Sequence, residues 1–341
     1  MAAQRPPIVL PPALYFACGR EGNVYFDNLV PGCADSYHWS VSDLPLGRLE
    51  AERWTCVPRE PGTGRIEFSI HDKETGALCA SAGADFVVAA SSAGAGETRS
   101  LLCIGDSLTA AGVVTEELLE LARGDAMGLT LLGTRGAAAN RHEGRNGWTI
   151  PQYCGNDAAN PFWIDGRLDF SAYLGRNGFA PPDWVCILLG TNDCFSRTSD
   201  EETVALARAS FDRLDDLLAS IRAAGGGTRI ALLTPPPPAA SQDAFGASYG
   251  NFPTRWRFKR NITCWSQTLI DRYRGRESAG LHLVPTHTAI DPVHGFPFGL
   301  PAPASSRTDR AVARQNDGAH PAPGGYRQLA DVLWAFLQAG G

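Results

Sequence analysis

Short apolar runs recur through the later two-thirds of the chain, at Leu101–Ile104, Leu129–Leu132, Trp184–Leu189, Arg229–Leu233 and Leu281–Val284. Leu101–Ile104 has no polar break, the pattern of a strand buried on both faces inside a parallel sheet. Between the runs the apolar spacing changes to three and four. Val204, Ala207, Phe211, Leu214, Leu218 and Ile221 form one stripe, and Phe258, Ile262, Trp265, Leu269 and Tyr273 another. Tyr326, Leu329, Leu333 and Phe336 form the last. Each stripe predicts a helix with one buried face. Ser199 with Glu202 predicts a capping box at the start of the first, and Gly225-Gly226-Gly227 its end. Strands alternating with helices predict an α/β domain whose parallel sheet is covered on both sides.

The earlier third reads differently. Strand candidates there are Val24–Leu29, His38–Ser42, Arg53–Val57, Arg65–His71 and Asp85–Val88, separated by Pro31-Gly32, Pro61-Gly62 and Thr75-Gly76. Ile66, Phe68 and Ile70 alternate with Arg65, Glu67 and Ser69, a half-buried strand. Short strands at this spacing predict a small all-β sandwich over residues 1–89. Residues 90–98 are small and form a linker, and residues 99–341 make the α/β domain. Two loops are long for a compact domain, one from Gly136 to about Asp183 and one from Thr234 to Thr254, and loops of that length are more often functional than idle.

Composition narrows the partners. The formal net charge of −6 disfavours nucleic acid, which needs a basic surface. No apolar stretch is long enough to span a membrane. The nine cysteines show no Cys-x-x-Cys pair and no zinc spacing, so free thiols and no metal are expected. Ile8–Leu10 is too short and too close to Pro11-Pro12 for a signal peptide, which makes the cytoplasm the default. A signal removed by processing would leave the same sequence on a secreted or periplasmic protein. The basic run Arg255, Arg257, Lys259 and Arg260 reads as a solvated helix face.

The chemistry starts where the first buried run ends, at Gly105-Asp106-Ser107. A serine at the C-terminal end of a buried strand lies where open α/β sheets hold ligands, so Ser107 is a candidate nucleophile. It needs a base. In Asp317-Gly318-Ala319-His320, the carboxylate three residues ahead can fold back onto the imidazole Nδ1–H and leave Nε2 to accept a proton. It also needs oxyanion donors. Asn192, in Gly190-Thr191-Asn192-Asp193 after another predicted strand, can offer its amide. A glycine in Glu143-Gly144-Arg145-Asn146-Gly147-Trp148 can offer a backbone N–H with no side chain in the way. Trp148, Phe195 and Tyr249, on loops beside these blocks, are candidate walls for substrate.

Each block alone is an ordinary turn. Together and in this order, residues 99–341 resemble the SGNH hydrolases, the GDSL-type esterases, with Gly105-Asp106-Ser107-Leu108, Gly147, Gly190-Thr191-Asn192-Asp193 and Asp317-Gly-Ala-His320 as the four family blocks. Gly144 is the alternative register for Gly147. The resemblance implies a flavodoxin-like three-layer α/β/α fold, a Ser107–His320–Asp317 triad, and an oxyanion hole from the N–H groups of Ser107 and Gly147 with the Asn192 side chain. It implies no cofactor. A β-sandwich ahead of such a domain is similar to bacterial esterases acting on carbohydrates. The polar and aromatic loops suit a small-molecule or glycan ester, and removal of a short acyl group, acetyl first, is the expected reaction. A lipid or thioester hydrolase is the alternative, and a non-catalytic carbohydrate-binding protein on a hydrolase scaffold is a third reading.

Overall fold

The computed structural model describes residues 7–42 and 46–340. Seven strands build the N-terminal module: β1 (Ala13–Ala17), β2 (Gly22–Tyr25), β3 (Tyr37–Val41), β4 (Gly47–Leu49), β5 (Arg53–Cys56), β6 (Gly62–Asp72) and β7 (Leu78–Ala89). They form a four-stranded sheet in the order β1-β7-β6-β3 and a three-stranded one, β2-β5-β4. Ile66, Phe68 and Ile70 of β6 are fully buried, as their alternation predicts, and share a core with Val24, Trp39 and Trp54. Val24–Leu29 is shorter as a strand than its apolar content suggests. The chain turns at Phe26 into a single 3-10 turn, which places Asp27 at the edge of the module. Between β7 and the next strand the small residues close on themselves in successive turns, with Ala93 N–H to Ala90 O at 2.9 Å and Glu97 N–H to Gly94 O at 2.9 Å.

The second module is mixed α/β around a mostly parallel sheet. Its elements are β8 (Thr98–Gly105), α1 (Ser107–Ala110), α2 (Val113–Gly124), β9 (Gly128–Leu132), β10 (Arg135–Ala137), β11 (Asn140–Gly144), α3 (Ile150–Cys154), β12 (Trp163–Ile164), β13 (Arg167–Leu168), α4 (Phe170–Asn177), β14 (Trp184–Leu188) and α5 (Thr191–Cys194). They continue as α6 (Asp200–Ala224), β15 (Arg229–Leu233), α7 (Gln242–Tyr249), α8 (Arg255–Tyr273), β16 (Leu281–Val284), α9 (Thr286–Ala289), β17 (Ala302–Ser305), β18 (Thr308–Val312) and α10 (Pro323–Gln338). The parallel strands run β9-β8-β14-β15-β16, so the chain order reverses at β8. Ligands in such sheets collect at the C-terminal strand ends beside that reversal. Helices α2 and α10 pack together on one side, and α6 and α8 on the other.

The helix stripes are buried as predicted, from Phe211, Leu214 and Leu218 on α6 to Leu329, Leu333 and Phe336 on α10. Ser199 caps α6 by accepting the Glu202 N–H at 3.1 Å, but the Glu202 carboxylate turns to Thr198 and Arg197, so only half of the expected box forms. No helix among the described residues is long and apolar enough to cross a membrane.

The two long loops are more ordered than their composition suggests. The first contains β11, which joins the parallel sheet beside the end of β8 through Glu143–Ile104 and Gly144–Gly105. Its sequence, Asn-Arg-His-Glu-Gly, has no apolar signal, because its burial is achieved by ion pairing. Glu143 is wholly buried, and its carboxylate accepts from Arg145 Nη1 at 2.6 Å, Tyr173 OH at 2.8 Å and Thr134 N at 2.7 Å. The second loop contains α7.

The basic run is not a solvated face. Arg255 and Lys259 are buried against the N-terminal module. The Arg255 guanidinium donates to Asp27 Oδ2 at 2.7 Å, and Lys259 Nζ donates to Asp27 Oδ1 and to Gly32 O, each at 2.6 Å. Arg257 and Arg260 pair instead with Asp200. Burial pushes the Lys259 ammonium down to about 8, with Asp27 opposing the shift. One carboxylate thus holds two buried cations across the modules, and stripping one partner from such a cluster costs about 3–5 kcal/mol. Periodicity cannot report this, since the partner lies far away in sequence.

Candidate active site

Ser107 begins α1 directly after β8, so its N–H is one of the first-turn donors that no helix carbonyl reaches. The turn is held by Asp106, whose Oδ1 accepts the Leu108 N–H at 2.9 Å. Asp106 is therefore the helix cap and not a partner of the serine. Across the mouth, the loop ahead of α10 brings His320 Nε2 to 2.9 Å from Ser107 Oγ. His320 Nδ1 lies 3.1 Å from Asp317 Oδ2. The fold-back expected from the three-residue spacing forms. Asp317 Oδ1 accepts the N–H groups of Ala319 and His320, each at 2.9 Å, which locks the carboxylate under the ring.

Burial by itself would raise the Asp317 carboxyl, but the hydrogen bonds from His320, Tyr249 and Ala319 outweigh it and hold it well below the ordinary range. His320 responds in the opposite sense. Its hydrogen bond to Asp317 raises the imidazole above 6.5 against the opposing effect of burial. The His320 side chain is 43% exposed, so the mouth opens directly to solvent.

Asn192 is the second residue of α5, at the neighbouring strand end. Its Nδ2 donates to Trp148 O at 3.1 Å, and an amide nitrogen carries a second hydrogen. The structure also separates the two glycines. Gly144 lies inside β11, where its N–H donates to His142 Nδ1 at 3.0 Å and a Cβ would collide with the backbone of Ala110. It is a packing glycine whose N–H is already engaged. Gly147 lies in the turn after β11 at φ +77°, closed by Trp148 N–H to Arg145 O at 3.2 Å, with open space where a side chain would be. Only a residue that tolerates a left-handed conformation can occupy that turn.

The turn is braced from below. Arg145 N–H donates to Gly105 O at 2.9 Å, and the Tyr153 hydroxyl lies between the carbonyls of Gly105, at 2.8 Å, and Glu143. The Arg145 guanidinium packs 5.0 Å from the Trp148 ring centre. Glu143, Arg145 and Tyr153 thus tie the glycine turn to the serine turn. Sequence reasoning missed this role because a buried ion pair has no periodic signature.

Of the expected substrate walls, Trp148 and Phe195 are half-buried beside Asn192. Tyr249 points elsewhere. Its ring packs on Phe195 at 5.0 Å, but its hydroxyl donates to Asp317 Oδ1 at 2.7 Å and lies 3.2 Å from His320 Nδ1, so it supports the aspartate rather than presenting a polar tip to a ligand. Phe162 and Phe245 are core residues.

Behind the serine lie two buried carboxyls. Asp193 Oδ1 accepts the Ile150 N–H at 3.1 Å, and the second oxygens of Asp106 and Asp193 have no partner among the described residues. Burial pushes both carboxyls up to about 7. A carboxyl that keeps its proton near neutrality places less negative charge behind a site where an anion must form. Among the described residues, no group of three or more His, Cys, Asp and Glu side chains is placed to hold a metal ion.

Comparison with known proteins follows the same residues. The profile of the GDSL-like lipase/acylhydrolase family matches residues 103–328, from β8 to α10. Similar solved structures include a carbohydrate esterase family 3 protein from Talaromyces cellulolyticus, at 16% identity and a TM-score of 0.45, covering 70% of this chain and 96% of that one. Another is Est24, a carbohydrate acetylesterase from Sinorhizobium meliloti, at 20% identity and a TM-score of 0.41, covering 72% and 100%. No curated protein matches the chain in sequence.

Proposed function

The chain belongs to the GDSL-like lipase/acylhydrolase family and is a carboxylic ester hydrolase; on that premise we propose that it removes short acyl groups, acetyl first, from a carbohydrate by serine catalysis. The observation that carries the mechanism is the continuous hydrogen-bonded path from Ser107 Oγ through His320 to Asp317. Ser107 Oγ attacks the ester carbonyl while its proton passes to His320 Nε2. Asp317 holds the ring in the tautomer that leaves Nε2 open and stabilises the imidazolium. The oxyanion lies against the N–H groups of Ser107 and Gly147 and the free Asn192 amide hydrogen. As the intermediate collapses, His320 returns the proton to the leaving alcohol. Water then repeats the sequence on the acyl-serine and releases the acid.

The preference for a short acyl group and a sugar alcohol is supported by the mouth itself. It is open to solvent at His320, the half-buried Trp148 and Phe195 lie on the neighbouring turns, and Asn146 on the glycine turn is exposed. A long acyl chain would leave most of its apolar surface in water there, forfeiting about 0.8 kcal/mol per methylene that an enclosing groove would supply. A nitrophenyl ester series is expected to show its rate optimum at two carbons, together with acetate release from an acetylated polysaccharide. An optimum at eight carbons or longer would replace this reading with a lipid hydrolase.

The raised His320 pKa sets the pH dependence. The base must be neutral, so kcat/KM falls as pH drops through a value above the ordinary imidazole one. Tyr249→Phe keeps the ring packing and removes one donor from Asp317. The carboxylate then holds more charge toward His320, so the acid limb is expected to move to higher pH while kcat falls about threefold to tenfold. An unmoved pH profile would show that the hydroxyl does not act through Asp317.

A further inference from the structure

Away from Ser107, a cleft of about 620 Å³ opens where the two modules meet. Its floor is the stacked pair Phe26 and Trp39, with ring centres 4.5 Å apart and planes within 8°. The N-terminal module supplies one wall from β3 and the β4–β5 turn, while the opposite wall is the first turn of α8 with Ala240, Pro292 and Val293.

Trp256 stands on that second wall and is 45% exposed. Its ring is held by the buried Arg255 guanidinium, 4.3 Å from the ring centre, and Arg255 is itself tied to Asp27 and to Ala239 O. A large indole held in a fixed orientation and left open on a cleft forms a flat apolar platform at little entropic cost of ordering. Facing it are polar side chains of both signs. Asp35, His38, Glu52 and Lys73 line the cleft and are exposed.

The charge balance limits the ligand. Asp27 is neutralised by Arg255 and Lys259, and Glu50 is engaged by Arg48 and Arg53. The cation left over in each cluster is offset by Glu21, which pairs with Arg53, and by Asp35 and Glu52 against the single Lys73, so no net basic charge is left for an anionic polymer. An aromatic platform with mixed hydrogen-bonding groups and little net charge fits the flat C–H face and hydroxyl rim of a neutral sugar. The volume lies within the roughly 300–1,000 Å³ of small-ligand sites.

The cleft is mechanically joined to the active site. Ala240 N–H donates to Pro292 O at 2.7 Å, Ala239 N–H to Gly318 O at 3.1 Å, and Gln315 Nε2 to Pro292 O at 2.9 Å. The cleft wall and the loop carrying Asp317 and His320 are therefore one hydrogen-bonded block.

We infer that the intermodule cleft is a second carbohydrate site, which holds a neutral glycan chain on Trp256 while Ser107 deacylates the same polymer elsewhere. This inference rests on the deacetylase reading for its substrate, but the site can be tested without catalysis. Ser107→Ala protein is run through native gels containing xylan, glucomannan or mixed-linkage β-glucan. Retardation is expected in at least one gel, lost with Trp256→Ala and largely kept with Trp256→Phe, which preserves the packing on Arg255. On the acetylated form of the retained polysaccharide, Trp256→Ala in the active enzyme is expected to raise KM about tenfold, the effect of losing about 1.4 kcal/mol of contact. Its kinetics on 4-nitrophenyl acetate stay unchanged. No retardation in any gel, or equal retardation of the Trp256→Ala protein, overturns the site. Retardation without acetate release from any acetylated glycan supports the site and overturns only the deacetylase reading.

Discussion

Ser107→Ala is expected to lower hydrolysis of 4-nitrophenyl acetate by at least about ten-thousandfold and to abolish labelling by a fluorophosphonate probe. The fold should be untouched. Ser107 is the first residue of α1, alanine favours helix, and the cap of that helix comes from Asp106. An unchanged melting temperature with lost activity would therefore locate the defect in the chemistry. Retained turnover, or labelling that persists on another residue, would remove Ser107 as the nucleophile and with it the proposed path to His320 and Asp317. Absence of labelling in the folded parent protein would favour the non-catalytic carbohydrate-binding reading.

Asn192→Ala should be the next most damaging change, with a loss on the order of 100- to 1000-fold in kcat and little change in KM. One Nδ2 hydrogen is committed to Trp148 O at 3.1 Å, which fixes the plane of the amide and leaves the other hydrogen for the oxyanion in the proposed mechanism. A donor oriented before reaction needs no reorganisation when charge develops, so its effect appears in the transition state rather than in binding. A loss below about tenfold would take Asn192 out of the oxyanion hole and leave the two backbone donors as the whole of it.

The strands Arg229–Leu233 and Leu281–Val284 and the three long helices were legible because burial of regular elements leaves a periodic trace. Ser107 and Asn192 were legible because each follows such a strand, β8 and β14, and the Asp317–His320 fold-back because it depends on a local spacing of three residues. β11 was not legible. Its polar residues are buried by mutual pairing of Glu143, Arg145 and Tyr173, and nothing in their order along the chain reports that they meet. The same limit hid the staple from Asp27 to Arg255 and Lys259, which turned an apparently solvated helix face into a module interface.

The sequence alone thus determined the class of chemistry and the turns proposed to carry it, since those depend on neighbours within a few residues. Tertiary structure decided the rest. It separated Gly144, packed against Ala110, from Gly147 in an open turn, because only the packing shows which glycine lacks room. It moved Tyr249 from substrate wall to support of Asp317, because the contact spans 68 residues. It also made the cleft beside Trp256, which exists only where two modules with separate cores come together.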